Sequence, residues 1–210
     1  MTKHIRLKGL YAITDQALTP PSQLQLKVEQ ALKGGARIIQ YRDKSGDRIK
    51  RLQEARLIKQ LCDAFNATLL INDDVELCLE AEAHGVHLGR DDTDILTARQ
   101  QLAAHHIIGA TCHGEPDAAW QAIEQGADYV AFGRFYPSKT KPNAKPADLS
   151  LIEPVLKRLP VPAVAIGGIT LDNAASLVAA GFSMLAVVHS LFGHEDTLLR
   201  SQAFSQLFKA

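Results

Sequence analysis

Short apolar runs of four to six residues recur along the whole chain, with little polar alternation inside them. Uninterrupted runs of this kind are typical of strands that are buried on both faces of a parallel sheet. The pattern predicts eight strands, at Leu10–Thr14, Arg37–Arg42, Thr68–Asn72, Gly85–Leu88, Ile107–Thr111, Tyr129–Gly133, Ala163–Gly167 and Met184–His189.

Between these runs, apolar residues recur at helical spacing, so each strand is followed by one amphipathic segment. The predicted helices are Gln23–Lys33, Ile49–Phe65, Val75–Ala83, Thr93–Ala103, Pro116–Gln125, Leu149–Arg158, Leu171–Ala180 and Asp196–Leu207. Four similar phrases (KGGARIIQ, AHGVHLG, QGADYVAFG and AAGFSMLAVV) each pass from a helix through glycine into a strand. We expect their glycines, Gly35, Gly85, Gly126 and Gly181, to close helices in the left-handed conformation.

Eight β-α units in 210 residues predict an α/β fold, a single-domain (β/α)8 or TIM barrel over residues 1–210. Spacing alone leaves a doubly wound open sheet as the alternative. We find no composition shift that would mark a linker between domains. The segment Arg134–Asp148 is too long for a simple connection and is rich in Pro and Lys.

Composition narrows the class of protein. Hydrophobic residues make up 46% and charged residues 22%, as in soluble globular domains. Basic and acidic residues both number 23, so the basic excess typical of nucleic-acid or membrane-surface binding is absent. Three widely spaced cysteines indicate neither a disulfide framework nor a metal knuckle, and no apolar run suits a signal peptide or membrane span. We expect a cytoplasmic protein without nucleic-acid or membrane partners; a homo-oligomer stays open.

Two cationic side chains follow the second predicted strand. Gln40, Arg42 and Lys44 are spaced two residues apart, so an extended chain directs all three to one side. In a barrel the carboxyl ends of the strands carry function, and a guanidinium and an ammonium converging there suit a phosphate or pyrophosphate. The alternative is a solvated strand end where Arg42 pairs with Asp43 or Asp73.

Aspartates end two neighbouring strands, Asp73 after the third and Asp92 after the fourth. Adjacent strands lie about 5 Å apart, so the two carboxylates are expected to meet beside the cations. Two carboxylates with substrate phosphate oxygens suit Mg²⁺. The alternative makes both aspartates helix N-caps.

The last two strands are followed by small or polar residues at the place where many barrels bind a phosphate. Gly168, next to Gly167, would let backbone N–H groups approach an anion, with Val188 and His189 close by. Otherwise the paired glycines only form a tight turn. His87, in a buried strand, is interpreted as a residue that holds neighbouring loops.

Eight motifs occur in order along the chain: GLYAITD, QYRDK, INDDVE, GVHLGRDD, GATCHG, DYVAFGRFYPSKTKP, AIGGIT and AVVHSLF. Together, from about Leu10 to Phe192, they resemble the thiamine-phosphate synthase family. The resemblance implies a transferase that joins 4-amino-5-hydroxymethyl-2-methylpyrimidine diphosphate to a thiazole phosphate. The thiazole substrate can be either the simple form or a carboxylated form. The resemblance further implies thiamine phosphate and pyrophosphate as products, Mg²⁺ as cofactor, and a dissociative mechanism through a pyrimidine cation.

The resemblance also implies roles for individual residues. Gln40 would hydrogen-bond the aminopyrimidine, and Asp73 and Asp92 would bind Mg²⁺. The residues implied to hold the pyrophosphate are Arg42, Lys44, Asn72, Thr111 and Lys141. The residues implied around the thiazole phosphate are Ser138, Thr140, Gly168, Val188 and His189. Those implied to be catalytic are Arg42, Lys44 and Lys141.

Three positions depart from the family's motifs. Arg90 stands where Gln is commoner, Arg134 where Pro is frequent, and His189 where Ser is commoner. We therefore expect backbone N–H groups, rather than the His189 imidazole, to contact the phosphate. The segment Arg134–Asp148 is expected to be a lid that orders over the pyrophosphate, with a solvated lysine loop as the alternative.

Two other functions stay open on the sequence alone. A thiazole tautomerase-like paralogue would share the barrel and the thiazole-phosphate site, without the full set of Mg²⁺ and pyrophosphate ligands. A non-catalytic sensor would bind thiamine phosphate and release no pyrophosphate.

Overall fold

The computed structural model describes residues 7–137 and 145–209, and its strands form a closed parallel barrel in sequence order. The strands are β1 Gly9–Ile13, β2 Ile38–Tyr41, β3 Thr68–Asn72, β4 Gly85–Leu88, β5 Ile107–His113, β6 Tyr129–Phe132, β7 Ala163–Ile166 and β8 Met184–Val187. Pairing of Gly9 with Met184 starts the ladder between β1 and β8 that closes the barrel. The predicted TIM barrel is confirmed, and the open-sheet alternative is wrong.

Helices follow the strands around the barrel: α1 Pro21–Lys33, α2 Arg48–Ala64, α3 Val75–Glu80, α4 Ile95–Gln101, α5 Pro116–Glu124, α6 Leu149–Leu156, α7 Ala174–Ala179, α8 His189–Phe192 and α9 Thr197–Gln206. Within the described ranges, no helix is long and apolar enough to cross a membrane. The predicted last strand ran to His189, and this boundary is wrong. Strand β8 ends at Val187, and His189 begins the short helix α8.

Two apolar clusters stabilise the barrel because strand side chains alternate between its inside and its outside. The inner cluster includes Tyr11, Tyr129 and Met184, and the larger outer cluster packs the other strand faces against the helices. Helix α9 packs on α1, where the Ser201 hydroxyl donates to the Ala31 carbonyl at 2.6 Å.

Three of the four predicted glycine caps are confirmed. Gly35, Gly126 and Gly181 have φ of 104°, 102° and 109°, in the left-handed region. The prediction for Gly85 is wrong, because Glu82 takes the left-handed conformation after α3, with φ 52°. Gly85 instead begins β4, where the backbone runs very close to the neighbouring strand β5. A Cβ atom at Gly85 would lie 2.0 Å from the Ile107 carbonyl oxygen.

The described ends of the segment after β6 are hydrogen-bonded, one to the turn after β7 and the other back to the start of the segment. The backbone N–H of Tyr136 donates to the Gly167 carbonyl at 3.1 Å, and that of Ala147 donates to the Arg134 carbonyl at 2.7 Å. The predicted site residues Ser138, Thr140 and Lys141 lie outside the described residues, as does the middle of the predicted lid.

Candidate active site

A cavity of about 530 Å³ lies at the carboxyl ends of the barrel strands. This volume is within the usual range for small-molecule sites. The predicted site residues that the structure describes all line it: Gln40, Arg42, Lys44, Asn72, Asp73, Asp92, Thr111, Gly168, Val188 and His189. The fold thus brings residues from six strand ends into one site.

Arg42 lies at the cavity wall just after β2. Its backbone N–H donates to the Thr14 hydroxyl at 2.9 Å, and its guanidinium lies 3.9 Å from the Asp15 carboxylate. The alternative pairing with Asp43 or Asp73 is wrong, because Arg42 is directed towards the β1–α1 loop instead. That loop therefore helps to place the guanidinium at the cavity.

Asp43 fastens the short loop that carries Arg42 and Lys44. Its buried carboxylate accepts from Lys50 Nζ at 2.7 Å, from the Ser45 backbone N–H at 2.6 Å and from Gln16 Nε2 at 2.8 Å. Burial acts to raise the pKa of Asp43, but the Lys50 and Ser45 hydrogen bonds outweigh it and lower the pKa. An ionised Asp43 thus holds the loop in place.

Asp73 and Asp92 meet at the cavity, as the strand order predicted. Lys44 Nζ and Asn72 Nδ2 both donate to Asp73 Oδ2, the latter at 2.6 Å, while Asp92 Oδ2 accepts from the Gly89 backbone N–H at 2.7 Å. A hydrogen bond also joins the two carboxyl groups.

This hydrogen bond divides the two pKa values. Burial acts to raise the pKa of Asp73, but hydrogen bonds from Asp92 and Lys44 overcome it, and the pKa falls below its ordinary value. The pKa of Asp92 is raised, first by burial and then by its hydrogen bond to Asp73. Of the two carboxylates, Asp92 is therefore the one that takes up a proton first as the pH falls, while Asp73 stays ionised to lower pH.

The alternative that these aspartates are helix N-caps is wrong. The next acidic residues along the chain are the N-caps. Asp74 caps α3 by accepting from the Leu77 N–H at 2.9 Å, and Asp94 caps α4 by accepting from the Thr97 N–H at 3.0 Å. Asp73 has φ 66°, an uncommon conformation for a residue other than glycine, and one that is frequent at functional sites. Asp73 and Asp92 remain available to the cavity.

At the opposite side of the cavity, the Gly167–Gly168 pair makes a left-handed turn after β7. Gly168 has φ 65°, and a Cβ atom there would lie 2.3 Å from the Pro137 carbonyl oxygen. The Asn173 side chain, which the sequence analysis missed, fastens the turn by donating to the Gly168 carbonyl at 3.1 Å and accepting from the Thr170 N–H at 2.9 Å. The turn therefore has no room for a side chain.

The floor of the cavity holds two further residues that the sequence analysis missed, Tyr11 and Tyr129. Both phenols are buried inside the barrel, and their hydroxyls lie 2.9 Å apart. Each tyrosine lies within an apolar run, GLYAI or DYVAF, which predicted a buried strand and gave no role to its side chain. Their positions in the strands could have indicated this role, because the alternation of side chains along a strand places both tyrosines on the same inner face of the barrel as Gln40 and Thr111.

Fold and site together define a TIM-barrel enzyme with a small-molecule site built from strand-end cations, paired carboxylates and a glycine turn. The family model described as thiamine monophosphate synthase matches residues 10–191. The chain therefore belongs to the thiamine monophosphate synthase family, whose members are transferases.

Relatives match over nearly the whole chain. A protein from Marinobacter nauticus named thiamine-phosphate synthase is 50% identical over 202 residues, which cover 95% of this chain and 90% of the relative. One of the same name from Alcanivorax borkumensis is 48% identical over 202 residues, covering 96% and 93%. The solved thiamine phosphate pyrophosphorylase of Pyrococcus furiosus superposes with a TM-score of 0.89 at 31% identity, covering 99% and 98%.

Proposed function

We propose that this protein makes thiamine phosphate by joining 4-amino-5-hydroxymethyl-2-methylpyrimidine diphosphate to a thiazole phosphate, with release of pyrophosphate. The observation that carries the proposal is the meeting of Arg42 and Lys44 with the Asp73–Asp92 pair on one cavity. A tautomerase-like paralogue or a sensor of thiamine phosphate has no need of this set. The names of relatives that are about half identical support the same reaction.

The reaction depends on the departure of pyrophosphate. Fixed cations stabilise the charge that develops on a leaving group, so Arg42 and Lys44 are proposed to hold the diphosphate together with Asn72 and Thr111. Lys141, outside the described residues, completes this set in the proposal. Gln40 holds the aminopyrimidine ring. The mechanism is dissociative: the methylene of the pyrimidine becomes cationic, and the thiazole nitrogen captures it.

Mg²⁺ fits the paired carboxylates. Oxygen ligands are those that Mg²⁺ prefers, and one or two carboxylates together with substrate phosphate oxygens are its usual ligands in proteins. Asp73 and Asp92 would hold the ion. Among the described residues, no group of three or more His, Cys, Asp or Glu side chains is placed to hold a metal ion, so substrate phosphate oxygens and water would have to complete its coordination. The bound ion would neutralise charge on the departing pyrophosphate.

The thiazole phosphate is proposed to bind at the glycine turn. Gly168 lets the backbone come close to an anion, and Val188 and His189 follow β8 on the same side of the cavity. Ser138 and Thr140 are proposed to add hydroxyl contacts from outside the described residues.

The reaction is proposed to take place in the cytoplasm, where thiols stay reduced. The three cysteines, Cys62, Cys78 and Cys112, are buried and free of disulfides, and burial raises the pKa of each thiol to about 12. Thiols of this kind suit a reducing compartment.

We expect the purified protein to release pyrophosphate when both substrates and Mg²⁺ are present, and to stop when EDTA is added. A coupled pyrophosphate assay with mass-spectrometric detection of thiamine phosphate measures this directly. Binding of thiazole phosphate without pyrophosphate release would contradict the proposal and leave the tautomerase or the sensor.

We expect thiazole phosphate to bind about 10–100-fold more tightly than the dephosphorylated alcohol, because hydrogen bonds to a charged group are worth about 1.5–3 kcal/mol. Isothermal titration calorimetry measures the difference.

His189→Ala is expected to change the affinity for thiazole phosphate by less than about threefold, since its backbone N–H remains. Gly168→Ala is expected to weaken it, because its Cβ would lie 2.3 Å from the Pro137 carbonyl oxygen. Equal affinity for phosphate and alcohol would refute the phosphate site.

A further inference from the structure

Five polar side chains from five different strands form one hydrogen-bonded chain beneath the cavity, here called the floor network. Gln40 Nε2 donates to the Tyr11 hydroxyl at 2.5 Å, which lies 2.9 Å from the Tyr129 hydroxyl. The Tyr129 hydroxyl lies 2.7 Å from His87 Nδ1, and His87 Nε2 lies 2.9 Å from the Thr111 hydroxyl. Both ends, Gln40 and Thr111, line the cavity.

The donor and acceptor roles along the floor network can be followed from Gln40. Burial raises the pKa of Tyr11 and of Tyr129, so both phenols keep their protons. Either hydroxyl can donate in the Tyr11–Tyr129 contact. The Tyr11 oxygen already accepts from Gln40, and only the direction from Tyr11 to Tyr129 gives the Tyr11 proton an acceptor within the floor network. The Tyr129 proton then goes to His87 Nδ1, which leaves the His87 Nε2–H to donate to Thr111.

This direction decides what the two ends offer to a ligand. One N–H of the Gln40 amide is donated to Tyr11, and this orientation leaves the carbonyl oxygen of Gln40 as its acceptor for the cavity. Thr111 already accepts from His87, so its own hydroxyl proton is left to donate. An acceptor at one end suits an amino group, and a donor at the other suits an anion.

Packing holds the central ring of the floor network in place. The Tyr129 ring stacks on the His87 ring with centroids 5.6 Å apart and meets the Tyr11 ring edge-on at 6.2 Å. Gly109, its partner in the β5–β6 register, leaves the space that the ring occupies, since a Cβ atom there would lie 2.0 Å from Tyr129 Cζ. The hydroxyl thus has a fixed position between its neighbours.

We propose that Tyr11, Tyr129 and His87 are positioning residues that fix Gln40 as an acceptor for the exocyclic amino group of the pyrimidine and Thr111 as a donor to its diphosphate. The inference rests on the proposed function and adds the source of its substrate specificity. If the pyrimidine ring carried an oxygen in place of the amino group, that oxygen would face the carbonyl oxygen of Gln40, and neither atom could donate a hydrogen bond to the other. To accommodate it, the Gln40 amide would have to turn over, and every hydrogen bond of the floor network would have to reverse.

The test compares Tyr129→Phe with the unchanged protein on two substrates, the aminopyrimidine diphosphate and its oxo analogue. The ratio of their kcat/KM values is expected to fall about tenfold in the variant, because the amide of Gln40 loses its fixed orientation. The KM for thiazole phosphate is expected to stay the same. Tyr11→Phe provides a second variant with the same expected direction.

Tyr41→Phe is the matched control, because Tyr41 adjoins Gln40 on β2 but points outward, where its hydroxyl donates to Glu54 Oε2 at 2.7 Å. Its substrate ratio is expected to be unchanged. An unchanged ratio in Tyr129→Phe and Tyr11→Phe, or an equal fall in Tyr41→Phe, would overturn the inference.

The ¹⁵N NMR spectrum of His87 gives a readout that does not require turnover. The inferred direction requires a proton on Nε2 and none on Nδ1. Finding the proton on Nδ1 in the unchanged protein would overturn the inference even if the enzyme is fully active. Absence of pyrophosphate release with the Nε2–H tautomer present would instead refute the proposed function and leave the direction of the network standing.

Discussion

Asp92→Ala is expected to lower turnover about 10³-fold while the barrel stays folded. Removing one of two carboxylates leaves a proposed Mg²⁺ site with a single aspartate, and the charge on the departing pyrophosphate is no longer balanced. Stability should change little, because Asp92 lies in a half-exposed loop, where it accepts from the Gly89 N–H and shares a hydrogen bond with the neighbouring carboxyl group of Asp73. Pyrophosphate release and thermal unfolding, measured on the same preparation, check both parts.

Asp94→Ala is the matched control for this variant. Asp94 lies two residues further along the same loop and caps α4 through the Thr97 N–H. Its loss should lower the stability of the protein slightly, through the lost cap, and leave turnover intact. Near-normal activity in Asp92→Ala would show that Asp92 has no place in a metal site, and an equal loss in Asp94→Ala would show that the loss is not specific to Asp92.

Lys44→Ala is expected to lower kcat/KM for the pyrimidine diphosphate about 100-fold, with little effect on the KM for thiazole phosphate. The variant removes a cation from the proposed diphosphate site and also the hydrogen-bond donor to Asp73. The ion pair is half exposed on the lysine side, so its loss should change the free energy of unfolding by less than about 1 kcal/mol. Steady-state kinetics with each substrate varied in turn separates the two KM values.

Lys33→Ala controls for the loss of a surface ion pair. The Lys33 side chain is 54% exposed, as is that of Lys44, and it pairs with Glu29 at 2.6 Å on α1, away from the cavity. We expect its kinetics to match those of the unchanged protein. A Lys44→Ala enzyme with unchanged kcat/KM for the diphosphate substrate would remove Lys44 from the proposed mechanism.

The barrel could be predicted from the sequence because each strand is a short apolar run and each helix has its own apolar stripe. These are local signals, and two strands, Thr68–Asn72 and Gly85–Leu88, were predicted to the residue. The end of the last strand was not, because VVHSLF continues the apolar run into α8 without a turn residue. The boundary between β8 and α8 can therefore be seen in the backbone of the folded protein but not in the sequence.

The position of Gly85 shows a second limit. A glycine between a helix and a strand is typical of a left-handed cap, yet here the chain needs it for close contact with Ile107 on the neighbouring strand. Such a contact joins residues far apart in the sequence, so no local pattern indicates it. Glu82 takes the left-handed conformation in its place.

For the site, position at strand ends predicted the meeting of Asp73 with Asp92, because the order of parallel strands fixes which ends are neighbours. The roles of consecutive aspartates could not be assigned, since Asp73 and Asp74 are equally suited to a cap or to a ligand. Tyr11 and Tyr129 were missed for a related reason. A buried tyrosine contributes to the core through its ring, and only the folded barrel shows where its hydroxyl lies.

The pairing of β1 with β8 has a consequence for synthesis of the protein. Gly9 pairs with Met184, 175 positions later, so one edge of the first strand has no partner until nearly the whole chain has been made. At about 5–20 residues per second, the ribosome needs roughly 9–35 s to reach the eighth strand. During that interval the apolar segment Gly9–Ile13 lacks the neighbour that covers this edge, and unpaired strand edges favour the aggregation of incompletely made chains.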